Sequence, residues 1–157
     1  ITMADNLYVR YRIEHHGKFG LEFLEFEFDD AGNVSYTNSS EYRKERPIHR
    51  RFQVAPIVVG EVRKQIMNTK VMDWDDSVWP DADENGLQEL EVSLGDEDNH
   101  VSFRTSIFGT STEIKEACED GTLQQFHYLA DDMRDMVFGL IRLHYQMSPY
   151  PKGSTLM

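Results

Sequence analysis

The sequence predicts an α+β domain in which helices cover an antiparallel sheet. Short segments near the N-terminus alternate apolar and polar residues and are separated by brief turns, as is typical of antiparallel strands. Residues 54–68 and 122–147 instead repeat apolar residues at helical spacing. With 157 residues, the chain has the usual length of one domain.

Three strands are predicted first, and together they form a meander. Residues 7–13 alternate strictly between apolar and polar side chains, and residues 24–29 alternate phenylalanine or leucine with acidic residues. Phe23 breaks this phase, which predicts a bulge or burial on both sides of the strand. After turn-forming residues at 30–33, residues 34–36 continue as a third strand.

The middle of the chain predicts a helix, a loop and a hairpin. Residues 54–68 have helical spacing, with Pro56 acceptable in the first turn and Gly60 weakening the helix propensity. Residues 73–86 are an acidic loop that contains two tryptophans and a proline. Residues 90–103 read as two strands around a turn of glycine, acidic residues and asparagine.

The last helix is predicted from Thr122, as N-cap, to Met147. Its second half is apolar on nearly every side, with Phe138, Ile141 and Tyr145 expected to point toward other faces. Such a helix needs cover on more than one side, either from a second protein or from within its own domain. The main apolar face is expected to consist of Leu123, Phe126, Leu129 or Ala130, Met133, Met136 or Val137, Leu140 and His144.

The charge is unevenly distributed. The formal net charge is −12, and it is concentrated in residues 73–135, where acidic residues greatly outnumber basic ones. A field of this sign repels phosphate, so general nucleic-acid binding is not expected. The acidic stretch would suit a basic partner, or it simply keeps the domain soluble.

One basic cluster runs against this trend. As a nuclear signal or an RNA-binding patch it is a weak pattern. A solvated surface strip, or a contact with acidic groups of a partner protein, also explains it. The cluster surrounds Pro47 and contains Arg43, Lys44, Arg46, Arg50 and Arg51.

Patterns for catalysis or metal binding are weak. The single cysteine, Cys118, excludes an internal disulfide and favours a reducing compartment. Residues 81–86 match the start of a calcium loop, but Val92 stands where the bidentate carboxylate should be. No apolar run reaches the length of a membrane span. We therefore expect a binding module, and neither an enzyme nor a protein with a cofactor or metal ion.

Five segments together resemble the Mago nashi family, whose members are core subunits of the exon junction complex. The resemblance is collinear from about Leu7 to Pro149. The segments are HHGKFGLEFLEFEF at 15–28, YTNSSEY at 36–42, VWPDADENGLQELEVSLGDE at 78–97, HVSFRTS at 100–106 and MVFGLIRLHY at 136–145.

This resemblance implies a flat six-stranded antiparallel sheet, with two long helices and a short one packed on one face. It implies a single domain over residues 7–149, with residues 1–6 as a disordered N-terminus or a remnant of cloning and residues 150–157 as a disordered tail. The implied location is the nucleus, with shuttling to the cytoplasm, and the implied processes are mRNA splicing, transport and nonsense-mediated decay.

The resemblance also implies the partners. In the family, the helices cover the RNA-binding sheet of an RRM-domain protein in an obligate heterodimer. The pair then locks a DEAD-box RNA helicase closed on spliced mRNA, which the family protein reaches only indirectly. A nuclear import receptor and a disassembly factor are further implied partners. The alternative is an acidic binding module or chaperone for basic proteins.

Two sets of residues match the family's interaction surfaces. The expected RRM-partner interface consists of Val62, Ile66, Met133, Met136, Val137, Leu140 and His144. The expected helicase interface consists of Lys18, Phe19, Glu22, Tyr42 and Arg43.

Overall fold

The computed structural model describes residues 6–41, 46–95 and 99–145. These residues contain a flat, six-stranded antiparallel sheet in the order β4-β3-β2-β1-β5-β6. The strands are β1 (Leu7–Gly17), β2 (Gly20–Asp29), β3 (Asn33–Ser40), β4 (Ile48–Gln53), β5 (Gly86–Leu94) and β6 (His100–Thr105).

Three α-helices within the described residues cover one face of the sheet, which confirms the predicted α+β class. They are α1 (Pro56–Asn68), α2 (Ser111–Ala117) and α3 (Thr122–Tyr145), and a short 3-10 turn lies at Val71–Asp73. None of the helices in these parts of the chain is long and apolar enough to cross a membrane.

The core lies between α3 and the middle of the sheet. Tyr11 of β1 pairs with Phe26 of β2, and Phe26 in turn pairs with Tyr36 of β3, so that one row of rings crosses the strands. Phe126 lies 6.4 Å from Tyr11, and Phe138 lies 5.7 Å from Tyr36, between ring centroids. Because these helix residues sit over different strands, α3 runs across the sheet.

Two local predictions can be compared with the structure. The β1–β2 pairing runs without interruption past Phe23, so there is no bulge. The alternative, burial on both sides of the strand, fits better, because Phe23 is half-buried and its ring packs under the Arg12 guanidinium at 4.0 Å. Thr122 is the first helical residue of α3, where its hydroxyl accepts a hydrogen bond from the Trp79 indole at 2.8 Å. Thr122 therefore ties the acidic loop to α3 instead of serving as N-cap.

The uncovered face of the sheet carries paired charges. The Arg10 guanidinium donates to Glu25 at 2.9 Å, to Glu89 at 2.9 Å and to Glu91 at 3.2 Å. Partial burial opposes a charged group, but these three hydrogen bonds raise the pKa of Arg10. Arg12 shares Glu25 at 3.1 Å. Since these charges satisfy one another, this face is poorly suited to docking an apolar partner.

Tyr8 supplies a test of this charged face. Partial burial, together with the negative charges of Glu27 and Glu91, raises the pKa of Tyr8 to about 12. The pKa of tyrosine in an unfolded chain is about 10. Because the folded protein raises the pKa of Tyr8, the neutral phenol contributes to the stability of the fold, and this contribution is complete below that pH. This stabilisation should be lost as the pH rises through about 12.

The measurement is an alkaline titration of wild type and of Tyr8→Phe. The phenolate absorbance of the variant is subtracted from that of wild type at each pH. We expect the difference signal to have its midpoint near 12. A midpoint at the ordinary tyrosine value of about 10 would show that the carboxylates do not act on this phenol.

Candidate protein–protein interface

A groove of about 590 Å³ lies between α1 and α3, on the side of the helices that faces away from the sheet. Both helices place apolar side chains along it, and charged residues stand at its edges. The groove is lined by Ile57, Val58, Glu61, Val62, Lys64, Gln65, Asn68, Met136 and Leu140.

Helix α1 forms one wall of the groove, and the spacing of its apolar residues decides which side faces the core. Pro56 occupies the first turn, where its missing N–H needs no partner. Val59, Val62 and Ile66 recur at intervals of three and four, and they are the buried residues of this helix. The opposite side is left exposed, including Ile57, whose side chain is 77% exposed.

Helix α3 forms the other wall. Met136 and Leu140 are only partly buried, and they pack against the edge of the core. Leu143 follows one turn later and is 79% exposed. Positions 136, 140 and 143 lie on one side of a helix because they are separated by four and three residues.

Ile57, Met136 and Leu140 line the groove together, and Leu143 extends the same side of α3. We call these four side chains the apolar strip. Large apolar residues grouped on one exposed face are typical of a protein-binding site. Glu61 and Lys64 also line the groove and are exposed, so the site combines apolar side chains with charged ones, as protein interfaces do. It can bury apolar area against a partner.

The structure places four of the seven expected RRM-partner residues inside the protein. Their side chains are at most 1% exposed, and they fix α1 and α3 to the sheet. With so little exposed surface they offer a partner almost nothing to contact, although Val62 also lines the groove. The four are Val62, Ile66, Met133 and Val137.

The remaining three expected residues are accessible. Met136 and Leu140 line the groove. His144 is exposed beyond its end, where its ring lies 4.7 Å from that of Phe52. The structure thus brings Met136 and Leu140 to the groove and sets His144 apart from it.

Sequence reasoning missed Ile57 and Leu143. Ile57 lies two positions before Val59, so it falls on the opposite side of α1 from the core residues. Leu143 is three residues after Leu140 and therefore shares its side of α3. In both cases the position along the helix was the sequence signal that could have assigned the residue to the groove side.

The expected helicase residues are only partly brought together. Lys18 and Phe19 form the β1–β2 turn, where the Phe19 ring is 76% exposed and the Lys18 ammonium lies 5.8 Å from its centroid. The Glu41 carboxylate holds this turn by accepting the Leu21 N–H at 3.0 Å. Tyr42 and Arg43 lie outside the described residues.

Glu22 was expected to contact the helicase, but the structure places it inside the protein. It shares the helix-covered face of β2 with Leu24, because the two are separated by two residues. Glu22 is completely buried and accepts a hydrogen bond from the Ser40 hydroxyl at 2.8 Å. Its carboxylate therefore joins β2 to β3 and is not presented on the surface.

The segments that could have held a metal ion or a reactive thiol are occupied by local hydrogen bonds. In the described ranges, no group of three or more His, Cys, Asp or Glu residues could hold a metal ion. Asp83 of the calcium-like segment accepts the backbone N–H of Asn85 at 2.9 Å. The Cys118 thiol is buried and donates to Asp120 at 3.0 Å, which lowers the pKa of that carboxyl.

Comparison with known proteins finds similarity over nearly the whole chain. The family model described as Mago nashi protein matches residues 7–150. The protein mago nashi homolog of Arabidopsis thaliana is 38% identical over 146 residues, which cover 93% of this chain and 96% of that protein.

Proposed function

Because the chain belongs to the Mago nashi family, we propose that it is a non-catalytic scaffold subunit of the exon junction complex. It forms a heterodimer with an RRM-domain protein by covering that protein's RNA-binding sheet. The pair then holds a DEAD-box RNA helicase closed on spliced mRNA. The protein works in the nucleus and shuttles to the cytoplasm.

The apolar strip is the observation that carries this proposal. Leu143 and Ile57 are more than three-quarters exposed although their side chains are fully apolar. An RRM sheet presents aromatic and aliphatic side chains, so pairing the two surfaces removes apolar area from water on both. Each square ångström buried contributes about 25 cal/mol.

The salt dependence of the complex tests this proposal against an acidic binder of basic proteins. We expect the RRM protein to co-purify with this chain at one-to-one stoichiometry and to stay bound in about 1 M salt, where charges are screened beyond about 3 Å. A complex that dissociates at high salt would favour the acidic binder.

The β1–β2 turn is the proposed contact with the helicase. It stands at one end of the sheet, and its Phe19 side chain is largely exposed. Closing the helicase fully requires that the pair bind the closed state about 5.5 kcal/mol more tightly than the open one. Lys18 and Phe19, the two exposed residues of the turn, supply part of this preference.

Lys18→Ala combined with Phe19→Ala should loosen the helicase by roughly tenfold or more and leave the heterodimer intact, since exposed interface aromatics often contribute over about 1.4 kcal/mol. The measurement is a pulldown of helicase by the heterodimer in the presence of ATP analogue and RNA. Lys115→Ala with Val78→Ala removes an exposed cation and an exposed apolar residue elsewhere and should change neither interaction. Equal loss of both partners would show that the turn is structural.

A further inference from the structure

A cavity of about 660 Å³ lies on the uncovered face of the sheet, above strand β3. Ser35 of β3 lines it and stands between Glu27 of β2 and Arg51 of β4, since it is the register partner of both. Directly paired residues project from the same face of a sheet. The cavity, which we call the trough, therefore has a short hydroxyl side chain at its floor, a carboxylate on one side and a guanidinium on the other.

These two charged groups differ from most others on this face. Arg10 and Arg12 pair with neighbouring carboxylates, whereas Glu27 and Arg51 form no salt bridge within the described part of the chain. Both of them are exposed. Two strand spacings of about 4.8 Å separate them, so their backbones are about 10 Å apart. Each charge can therefore meet a ligand in the trough.

Tyr8 forms a further part of the trough. Its phenol is hydrogen-bonded to the Glu27 carboxylate, which restrains that side chain. A carboxylate has about four acceptor positions, so Glu27 can bind a cation while it keeps this bond. The Tyr8 side chain is half-buried, and the rest of its ring offers an apolar surface beside the carboxylate.

The two charges limit the class of ligand. A nucleic acid would bring phosphate close to Glu27 and to a protein of net charge −12. An apolar surface would take Glu27 and Arg51 out of water without replacing the water they lose. A peptide that carries one basic and one acidic side chain satisfies both groups at once.

We propose that the trough binds a proline-rich segment of a second protein, in the polyproline II conformation, with a basic and an acidic residue three positions apart. Polyproline II has three residues per turn and rises about 3.1 Å per residue, so positions i and i+3 lie on one side, about 9.3 Å apart. This distance matches the ~10 Å between Glu27 and Arg51. Same-side positions of a β-strand are only about 6.8 Å apart.

In this arrangement the basic side chain pairs with Glu27 and the acidic one with Arg51. A proline packs on the exposed part of the Tyr8 ring, as prolines do in other aromatic-lined sites for polyproline II segments. Because the contacts are exposed ion pairs, binding is weak and decreases with salt concentration.

This site goes beyond the proposed function and does not depend on it. The trough lies on the face of the sheet opposite α1 and α3, so it stays accessible when a partner occupies the groove. Its salt dependence also separates it from the groove, where the complex is expected to persist at high salt.

The test is an NMR titration of the full chain with the peptide acetyl-Pro-Lys-Pro-Pro-Glu-Pro-amide, in which the backbone amide signal of Ser35 is followed. We expect this signal to shift as the peptide reaches millimolar concentration. Arg51→Glu should weaken binding about fivefold or more, because an attraction becomes a repulsion. The same variant should bind a peptide with lysine in place of glutamate more tightly than wild type does, by a similar factor.

Arg104→Glu is the matched control. It makes the same change of charge on the same face of the sheet, but on β6 and outside the trough. It should change the affinity for either peptide by less than about twofold.

A Ser35 signal that does not shift would overturn the proposal, and so would equal effects of Arg51→Glu and Arg104→Glu. A peptide with adjacent lysine and glutamate tests the spacing. If it binds as tightly as the first peptide, the polyproline II assignment is wrong. Co-purification with the RRM-domain protein should be unchanged in both variants, so failure here leaves the groove proposal standing.

Discussion

Leu140→Arg should abolish co-purification with the RRM-domain partner and leave the protein folded. Leu140 lines the groove and is only partly buried, so a longer side chain can extend into solvent in the free protein. In the heterodimer the same guanidinium would be taken out of water in the apolar part of the interface, where burying a charge costs free energy. We expect a loss of about 2 kcal/mol or more in binding, roughly 30-fold in Kd.

Val78→Arg is the matched control. Val78 is 62% exposed, in the loop before β5 and outside the groove, so it adds the same charge to an apolar surface residue. It should bind the partner normally. If Leu140→Arg, still folded by circular dichroism, also bound normally, the partner would not occupy the groove.

Ile66→Ala should destabilise the protein itself. Ile66 has no exposed surface and packs in the core beneath α1. Removing its side-chain carbons leaves a cavity, which costs about 2–5 kcal/mol in the free energy of unfolding. Chemical denaturation of the free protein measures this directly.

Ile57→Ala makes the same substitution at an exposed site of the same helix. Its unfolding free energy should change by no more than about 0.5 kcal/mol, while its partner affinity should fall. The reverse pattern, a stable Ile66→Ala and an unstable Ile57→Ala, would mean that α1 is rotated relative to the structure.

Much of the sheet follows from residue alternation. β1, β2 and β3 each have one apolar and one polar face, so period-two patterning located them. β4 was not located this way. Its burial does alternate, but the half-buried positions of this short edge strand are Ile48, Arg50 and Phe52, so an arginine interrupts the apolar face. α2 spans only 7 residues, too few for a helical period to stand out.

The sequence placed the expected interface on α1 and α3, the two helices that line the groove, but it assigned some residues to the wrong face of α3. Phe138 and Ile141 were expected to point away from the main apolar face, yet both are core residues. Because a helix has 3.6 residues per turn, side chains spaced by a whole-number repeat move gradually around it. In addition, the second half of α3 is apolar on most sides. Its sequence alone therefore cannot say which apolar side meets the sheet.

Hydroxyl-radical footprinting of the chain with and without the RRM-domain partner tests the central claim most directly. Binding through the groove should protect Ile57, Met136, Leu140 and Leu143 and leave Tyr8 and Phe23 on the opposite face of the sheet unchanged. Protection of Tyr8 and Phe23 with continued labelling of the apolar strip would contradict it.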